Sequence, residues 1–264
     1  MSSYLDGAAF DSLYARRGCT AEDIAGLRKR VYARELTIPL SLHHLEEILL
    51  DSRARPELKV AKTKLMLSMG NFRRMTKPCE SLLRDDLLAA ARSETPRLTI
   101  DANTQNILSE GLADLIETDG EELSEELVEL LEAARAQRVK LLEQIREIAA
   151  LTLPRLDSPA AQDECLAEFR ARSFARWLGS ADLAAPATTA IASRPAAAFI
   201  DLAATLSQLS NPAALDSLPH ALAALASAGE FVSADPVLMS AAQSTRLPIK
   251  ISNLTAFLSG IRGS

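Results

Sequence analysis

The chain has 264 residues, 48% of them hydrophobic, 24% charged and only 4% aromatic, with a formal net charge of −6. That supplies enough apolar chain for one large core and excludes a uniformly basic protein that coats polyanions. Cys19, Cys79 and Cys165 are isolated, with no C-x-x-C pair and no zinc spacing, which excludes a disulfide framework and a structural zinc site.

Reduced thiols in a cytoplasmic protein are the simplest expectation. The opening residues show no charged n-region, apolar h-region and cleavage site, and no apolar run is long enough to span a bilayer, so a soluble, intracellular protein is expected. Charge is unevenly spread. Residues 1–97 hold 17 Lys/Arg against 13 Asp/Glu, residues 98–134 hold eleven acids and no base, and the remainder is near neutral. A basic first third permits a polyanion partner, although solvated helix faces account for such a distribution equally well.

The chain opens on Ser3-Tyr4-Leu5-Asp6-Gly7-Ala8-Ala9-Phe10, a short apolar strand ending in an aspartate and small residues. In an open α/β sheet a strand hands over to a helix in this way, with its carboxyl end facing the ligand crevice. A short helix is predicted over 9–17, ended by Gly18. Thr20 with Glu22 and Asp23 then reads as an N-cap opening a helix to about Arg34. Leu36 to Leu40 reads as a second strand, with Pro39 confined to an edge or terminal position. Ser41 caps a helix whose stripe is Leu42, Leu45, Ile48 and Leu49. A helix over 56–69, a strand over 72–76 and a helix from Pro78 to about Arg92 follow.

From about Leu98 the pattern becomes purely helical. A long amphipathic helix is predicted over 121–150, acidic in its first turns and basic later, as the helix dipole favours. Further helices are predicted over 159–178, 196–209 and 213–228, with an Ala/Thr/Pro-rich connector at 181–198. Strand grammar returns in Gly229 to Asp235 and in Leu247 to Ile251, with a final helix over 254–261. Strands from both ends around a helical block indicate one domain over 1–264, with a helical insertion at approximately 98–195.

Asp6 and Asp235 both follow short apolar strands, so a parallel sheet brings them to one edge. Glu46 and Glu47 lie early in the helix after the second strand, and Asp216 opens a helix leading to the strand before Asp235. Four carboxylates crowded together repel unless a divalent cation sits among them, and Mg²⁺ or Mn²⁺ suits such hard oxygen ligands. Helix caps and surface charges are the competing reading of the same acids. Asp85 and Asp86, on an amphipathic helix with no strand following, read as surface charges.

Tyr4-Leu5-Asp6 with its small followers resembles the opening of the PIN-domain ribonucleases. Ile38-Pro39-Leu40-Ser41-Leu42-His43-His44-Leu45-Glu46-Glu47-Ile48-Leu49 is similar to that family's second block, Asp216-Ser217-Leu218-Pro219-His220-Ala221 to its third, and Phe231-Val232-Ser233-Ala234-Asp235 to its fourth. The order and spacing of the blocks carry the likeness, which covers roughly the first and last 50 residues. The fold it implies is a PIN-like three-layer α/β/α arrangement, helix-rich, with a short, mostly parallel central sheet and a large helical insertion.

The resemblance implies a metal-dependent endoribonuclease, toxin-like in kind. Asp6, Glu47, Asp216 and Asp235 would act as catalytic acids and ligands of Mg²⁺ or Mn²⁺. Glu47 is preferred because it stands six after Ser41, and Glu46 remains an alternative. Ser233 and His220 would be supporting groups, although a packing role for His220 is the simpler reading. RNA is the expected partner, with an antitoxin-like protein inhibitor by analogy and a homodimer compatible with the chain. Arg28, Lys29, Arg30, Arg53, Arg55, Arg73 and Arg74 would hold its backbone, and the few aromatics argue against strong base readout by stacking. Gly7 and Ala8 stand where relatives often offer Thr and Asn, a loss of two polar side chains. A weakened PIN-like interaction module acting through its helical insertion is therefore the alternative, distinguished by whether the acid set is complete. A haloacid-dehalogenase-like phosphatase ranks last, since its second aspartate is replaced by Ala8.

Overall fold

The computed structural model describes residues 1–120, 122–153, 159–179, 194–209 and 215–262. The chain begins β1 (Ser3–Leu5), α1 (Gly7–Tyr14), α2 (Ala21–Tyr32), β2 (Pro39–Ser41), α3 (Leu42–Leu49), α4 (Pro56–Leu67), β3 (Asn71–Thr76) and α5 (Cys79–Arg92). Among the described residues there follow α6 (Ala102–Glu117), α7 (Glu125–Thr152), α8 (Pro159–Leu178) and α9 (Pro195–Ser207). The chain closes with α10 (Leu218–Ser227), β4 (Glu230–Ser233), α11 (Pro236–Ser244), β5 (Lys250–Asn253) and α12 (Leu254–Arg262). This is a helix-rich α/β protein with a small parallel sheet.

Local chemistry sets many of these boundaries. Asp6 caps α1, Asp101 caps α6, Ser124 caps α7 and Asp235 caps α11, each accepting from a backbone N–H of the first turn. Thr20 and Asp23 form a reciprocal capping box on α2. The acidic stretch divides into α6 and α7 around Gly120, whose φ of +88 suits a glycine. β5 begins at Lys250, three residues beyond the predicted start at Leu247, because Pro248 has no N–H for the ladder and the first bond runs from Lys250 N to Gly229 O. Most of the expected connector at 181–198 lies outside the described residues.

β1 pairs in parallel with β4 (Ser3 with Glu230, Tyr4 with Phe231, Leu5 with Val232), and β4 pairs in parallel with β5. β2 pairs in parallel with β3. The two pieces meet at a parallel Ser2–Thr37 bridge, where Ser3 N donates to Thr37 O and Thr37 N to Met1 O. The next donor towards β1, two residues on, would be residue 39. Pro39 has none, so the ladder between the pieces stops there. Counted across that bridge, the strands of the two sheets lie in the order β3-β2-β1-β4-β5, and the direction of progression reverses between β1 and β4.

Side chains alternate across this sheet as strand geometry requires. Tyr4 and Phe231 enter one core with α5, α8, α9 and α10, while Leu5 and Val232 enter another with α1, α2, α3, α4 and α12. Each fully buried Leu or Phe contributes about 1.5–3 kcal/mol. The long helix α7 belongs to both cores. Its Leu127, Leu131 and Ala134 lie in the second, and Leu141, Leu142, Ile145 and Ile148 in the first. Its middle therefore passes between the cores beside α3 and α5, tied down by Ser81 to Gln137 and Lys140 to Glu80.

Candidate active site at the carboxyl edge of the sheet

Asp6 leaves β1 where the strand order reverses, the place where open α/β sheets form a ligand crevice. Its Oδ1 accepts from Ala9 N at 2.7 Å, and Ser233 Oγ at the end of β4 donates to its Oδ2. Ser233 Oγ in turn accepts from Asp235 N at 3.0 Å. Asp235 is fixed by the start of α11, its Oδ1 accepting from Val237 N at 2.8 Å and Leu238 N at 3.2 Å. Its Oδ2 lies 3.4 Å from Ser217 Oγ. Asp6 is 1% exposed. Burial outweighs its hydrogen bonds and the nearby His220, and raises its carboxyl to about 6.

Glu47 enters from α3. Its Oε1 stands 3.1 Å from Nε2 of His220, which comes from α10 and is 2% exposed. Although the pair is close, the ring N–H is not aligned with the carboxylate, and Nε2 makes no well-directed hydrogen bond. Burial disfavours charge on both, but Glu47 falls to about 2 chiefly because of His220, and His220 is held above its ordinary value chiefly by Glu47.

A buried hydrogen-bonded chain fixes the other side of the ring. His220 Nδ1 meets Tyr4 Oη at 2.8 Å, Tyr4 Oη meets Ser41 Oγ at 2.8 Å, and Ser41 Oγ meets His44 Nδ1 at 3.2 Å. His44 Nε2 donates to Leu5 O at 2.7 Å, which leaves its Nδ1 as an acceptor. Burial lowers His44 to about 3, so this ring is neutral. His44 Nδ1 also accepts from Ser41 N at 3.1 Å. The Glu47 carboxylate beside Nε2 favours the protonated form of the His220 ring.

Gly7 belongs to the same arrangement. A Cβ on it would stand 2.2 Å from Glu47 Oε2 and 3.5 Å from His220 Nε2. The sequence presents Gly7 as a polar residue lost, whereas its bare backbone admits the Glu47 carboxylate beside Asp6. That correction follows from a contact forty residues apart, which no local pattern records.

The structure thus brings Asp6, Glu47, Asp235, Ser233 and His220 to one edge. Asp216 stands at the rim, exposed, 3.7 Å from Arg146, while its neighbour Ser217 contacts Asp235. Glu46 turns away from the edge. It is 2% exposed and takes a two-pronged bond from Arg138 of α7, at 2.6 to 3.2 Å, together with His43 Nδ1 at 3.3 Å. Arg138 is the main residue that the sequence reading missed. Its charged neighbours also include Glu47 and Asp216.

Among the expected RNA-binding residues, Arg28 donates to Ser68 Oγ and Arg30 to Ile261 O, and the side chains of Arg73 and Arg74 lie outside the described residues. Asp85 is ion-paired with Lys77. Asp86, expected at the surface, is instead buried at 2% exposure, where it accepts from Ala196 N at 2.9 Å and pairs with Arg194 at the start of α9.

Among the described residues no three His, Cys, Asp or Glu side chains form a ready-made metal-holding group. The donor chemistry nevertheless fits a hard cation, which needs only one or two carboxylates when waters and substrate phosphate complete its shell. The cradle beside Gly7, into which the Glu47 carboxylate fits next to the raised Asp6 carboxyl, is the observation that supports this fit. No helix among the described residues is long and apolar enough to cross a membrane. No protein-family model, curated protein or solved structure matches the chain.

Proposed function

We propose that the chain is a PIN-like, metal-dependent endoribonuclease of the cytoplasm, hydrolysing RNA phosphodiester bonds at the carboxyl edge between β1 and β4. The observation that supports it most is the Asp6–Ser233 hydrogen bond across the reversal of strand order, which sets Asp6 beside Asp235 with Glu47 alongside. Asp6, Glu47 and Asp235 would hold Mg²⁺ or Mn²⁺, with Asp216 reaching in from the rim. Such an ion supplies an activated water and charge stabilisation for phosphoryl oxygens.

The chain's own groups prepare that edge. Ser233 orients Asp6, and the first turn of α11 orients Asp235. His220 holds the Glu47 carboxylate against Gly7 and balances the negative charge of Glu47 and of the buried Asp6. The Tyr4–Ser41–His44 chain keeps the imidazole from turning. A carboxyl held near 6 lets Asp6 be ionised at neutral pH and protonated in mild acid.

The test is incubation of single-stranded RNA with the protein and Mn²⁺, or with EDTA, alongside Asp6→Asn and Asp235→Asn. Cleavage by the wild type alone, abolished by EDTA, is expected. Equal cleavage by all three proteins, or none by any, overturns the assignment. A non-catalytic PIN-like interaction module is the second reading. The Arg138–Glu46 bond favours it, because it fastens the long helix α7 to α3 on the side of α3 away from this edge. RNA binding without cleavage would establish it.

A further inference from the structure

Beside Glu47, α1, α3 and α4 enclose a partly open cleft with about 500 Å³ of free space including its mouth. Gly7 and Glu47 belong to its lining, so the cleft adjoins the acidic edge. Phe10 and Tyr14, one turn apart on α1, supply aromatic lining, and Ile48 and Leu65 supply apolar lining from α3 and α4. Tyr14 is 38% exposed in a chain with very few aromatics, and nothing in the core accounts for its position.

The polar lining is one-sided. Asp11, Glu47 and Asp51 contribute three carboxylates against one ammonium, Lys62, which is bound to Asp11 at 2.6 Å. Asp51 is half-buried, its Oδ1 accepting from Arg53 N at 3.0 Å and lying 3.5 Å from Nε of the same, highly exposed residue. The cleft is therefore rich in acceptors and walled by ring and aliphatic surface.

We propose that this cleft is a nucleobase subsite, taking the base of a nucleotide that flanks the scissile phosphate and preferring bases with an exocyclic amino group. The proposal rests on the ribonuclease reading, because the neighbouring acidic edge is what places an RNA strand there. A base stacks on Tyr14 whatever its identity. Carboxylates accept from the amino group of cytosine, and by the same chemistry from those of adenine and guanine, whereas uracil offers two carbonyls and a single N–H. Of the three acids, Asp51 serves this role, since its side-chain partner is the highly exposed Arg53, whereas Asp11 is held by Lys62 and Glu47 by His220.

The test measures binding of labelled A6, C6 and U6 oligoribonucleotides by fluorescence anisotropy in EDTA, where metal-dependent cleavage cannot intervene, and then their cleavage in Mn²⁺. A6 and C6 should bind roughly tenfold more tightly than U6, as one good base contact implies. Tyr14→Ala should weaken all three on the order of tenfold, and Asp51→Asn should narrow the gap between C6 and U6. Equal binding of the three, unaffected by Tyr14→Ala, overturns the subsite even if RNA is cleaved. The expected binding pattern without cleavage in Mn²⁺ upholds the subsite and overturns the nuclease. Absence of binding to any oligonucleotide overturns both.

Discussion

The Glu47 carboxylate fills the space that a side chain on Gly7 would occupy, with Oε2 placed 2.2 Å from where a Cβ would stand. Gly7→Ala must therefore expel Glu47 from its contact with His220, because the alternative is movement of the backbone at the start of α1. An alanine early in a helix would otherwise gain up to about 1 kcal/mol over glycine. The expected outcome is a less stable, inactive protein. In a Glu47→Ala background the same change should be neutral or stabilising, and a double-mutant cycle of denaturation midpoints measures the difference.

Asp6 carries a cost at neutral pH. Its carboxyl is raised from 3.8 to about 6, so the native state holds the proton more tightly than the unfolded chain. The resulting stability is fully present below 3.8 and disappears as pH rises through 6, an effect of up to about 3 kcal/mol for two units of difference. Asp6→Asn retains the cap and the Ser233 contact without the charge. It should raise the unfolding free energy at pH 7.5 by about 1–3 kcal/mol and lose that advantage by pH 3.5, while abolishing RNA cleavage. Urea titrations across that range measure it.

The Glu47–His220 pair is bounded on both sides. Glu47 is depressed to about 2, so its contribution is present above its ordinary value of 4.5 and lost as pH falls through 2. His220 is raised above 6.5, so its contribution is complete below 6.5 and lost as pH climbs past its folded value. Both are complete together between 4.5 and 6.5. The difference in melting temperature between wild type and Glu47→Gln should be greatest in that window and shrink in alkali. A difference independent of pH would show that His220 is not charged.

Arg138 ties the long helix α7 to α3. Removing it leaves Glu46, 2% exposed, with no partner except His43 and the distant, exposed Arg135 at 4.0 Å. Arg138→Ala should cost about 3–5 kcal/mol, the usual penalty for a buried charge left uncompensated, and Glu46→Met with Arg138→Met should recover most of it. Thermal denaturation of the two single variants and the double variant provides the comparison.

The strand ends were readable because a strand followed by a capping acid is a local pattern, and Ser3–Leu5 with Asp6 and Glu230–Ser233 with Asp235 both have it. Consecutive glutamates on a helix differ by about 100° in direction. The sequence could rank Glu46 and Glu47 only by spacing, and their destinations depend on His220 and Arg138, 173 and 92 residues away respectively. The role of Gly7 is hidden for the same reason, since its value lies in the side chain that approaches it. Tyr4, Ser41 and His44 looked like strand, cap and helix residues, and their linkage is tertiary. Asp86 was misplaced at the surface because its partner, the start of α9, arrives 110 residues later.

Ser3 and Glu230 are partners in a ladder although 227 residues separate them, and Asp6 and Ser233 meet just beyond. Loop closure on that scale slows folding, since the entropic cost precedes the contacts that offset it. It also orders events during synthesis. While the first two hundred residues emerge, Asp6 and Glu47 exist without Ser233, Asp235 or His220. A nascent chain therefore cannot carry a finished site until its closing strands join the first, and a fragment lacking either set of strands has no such edge at all.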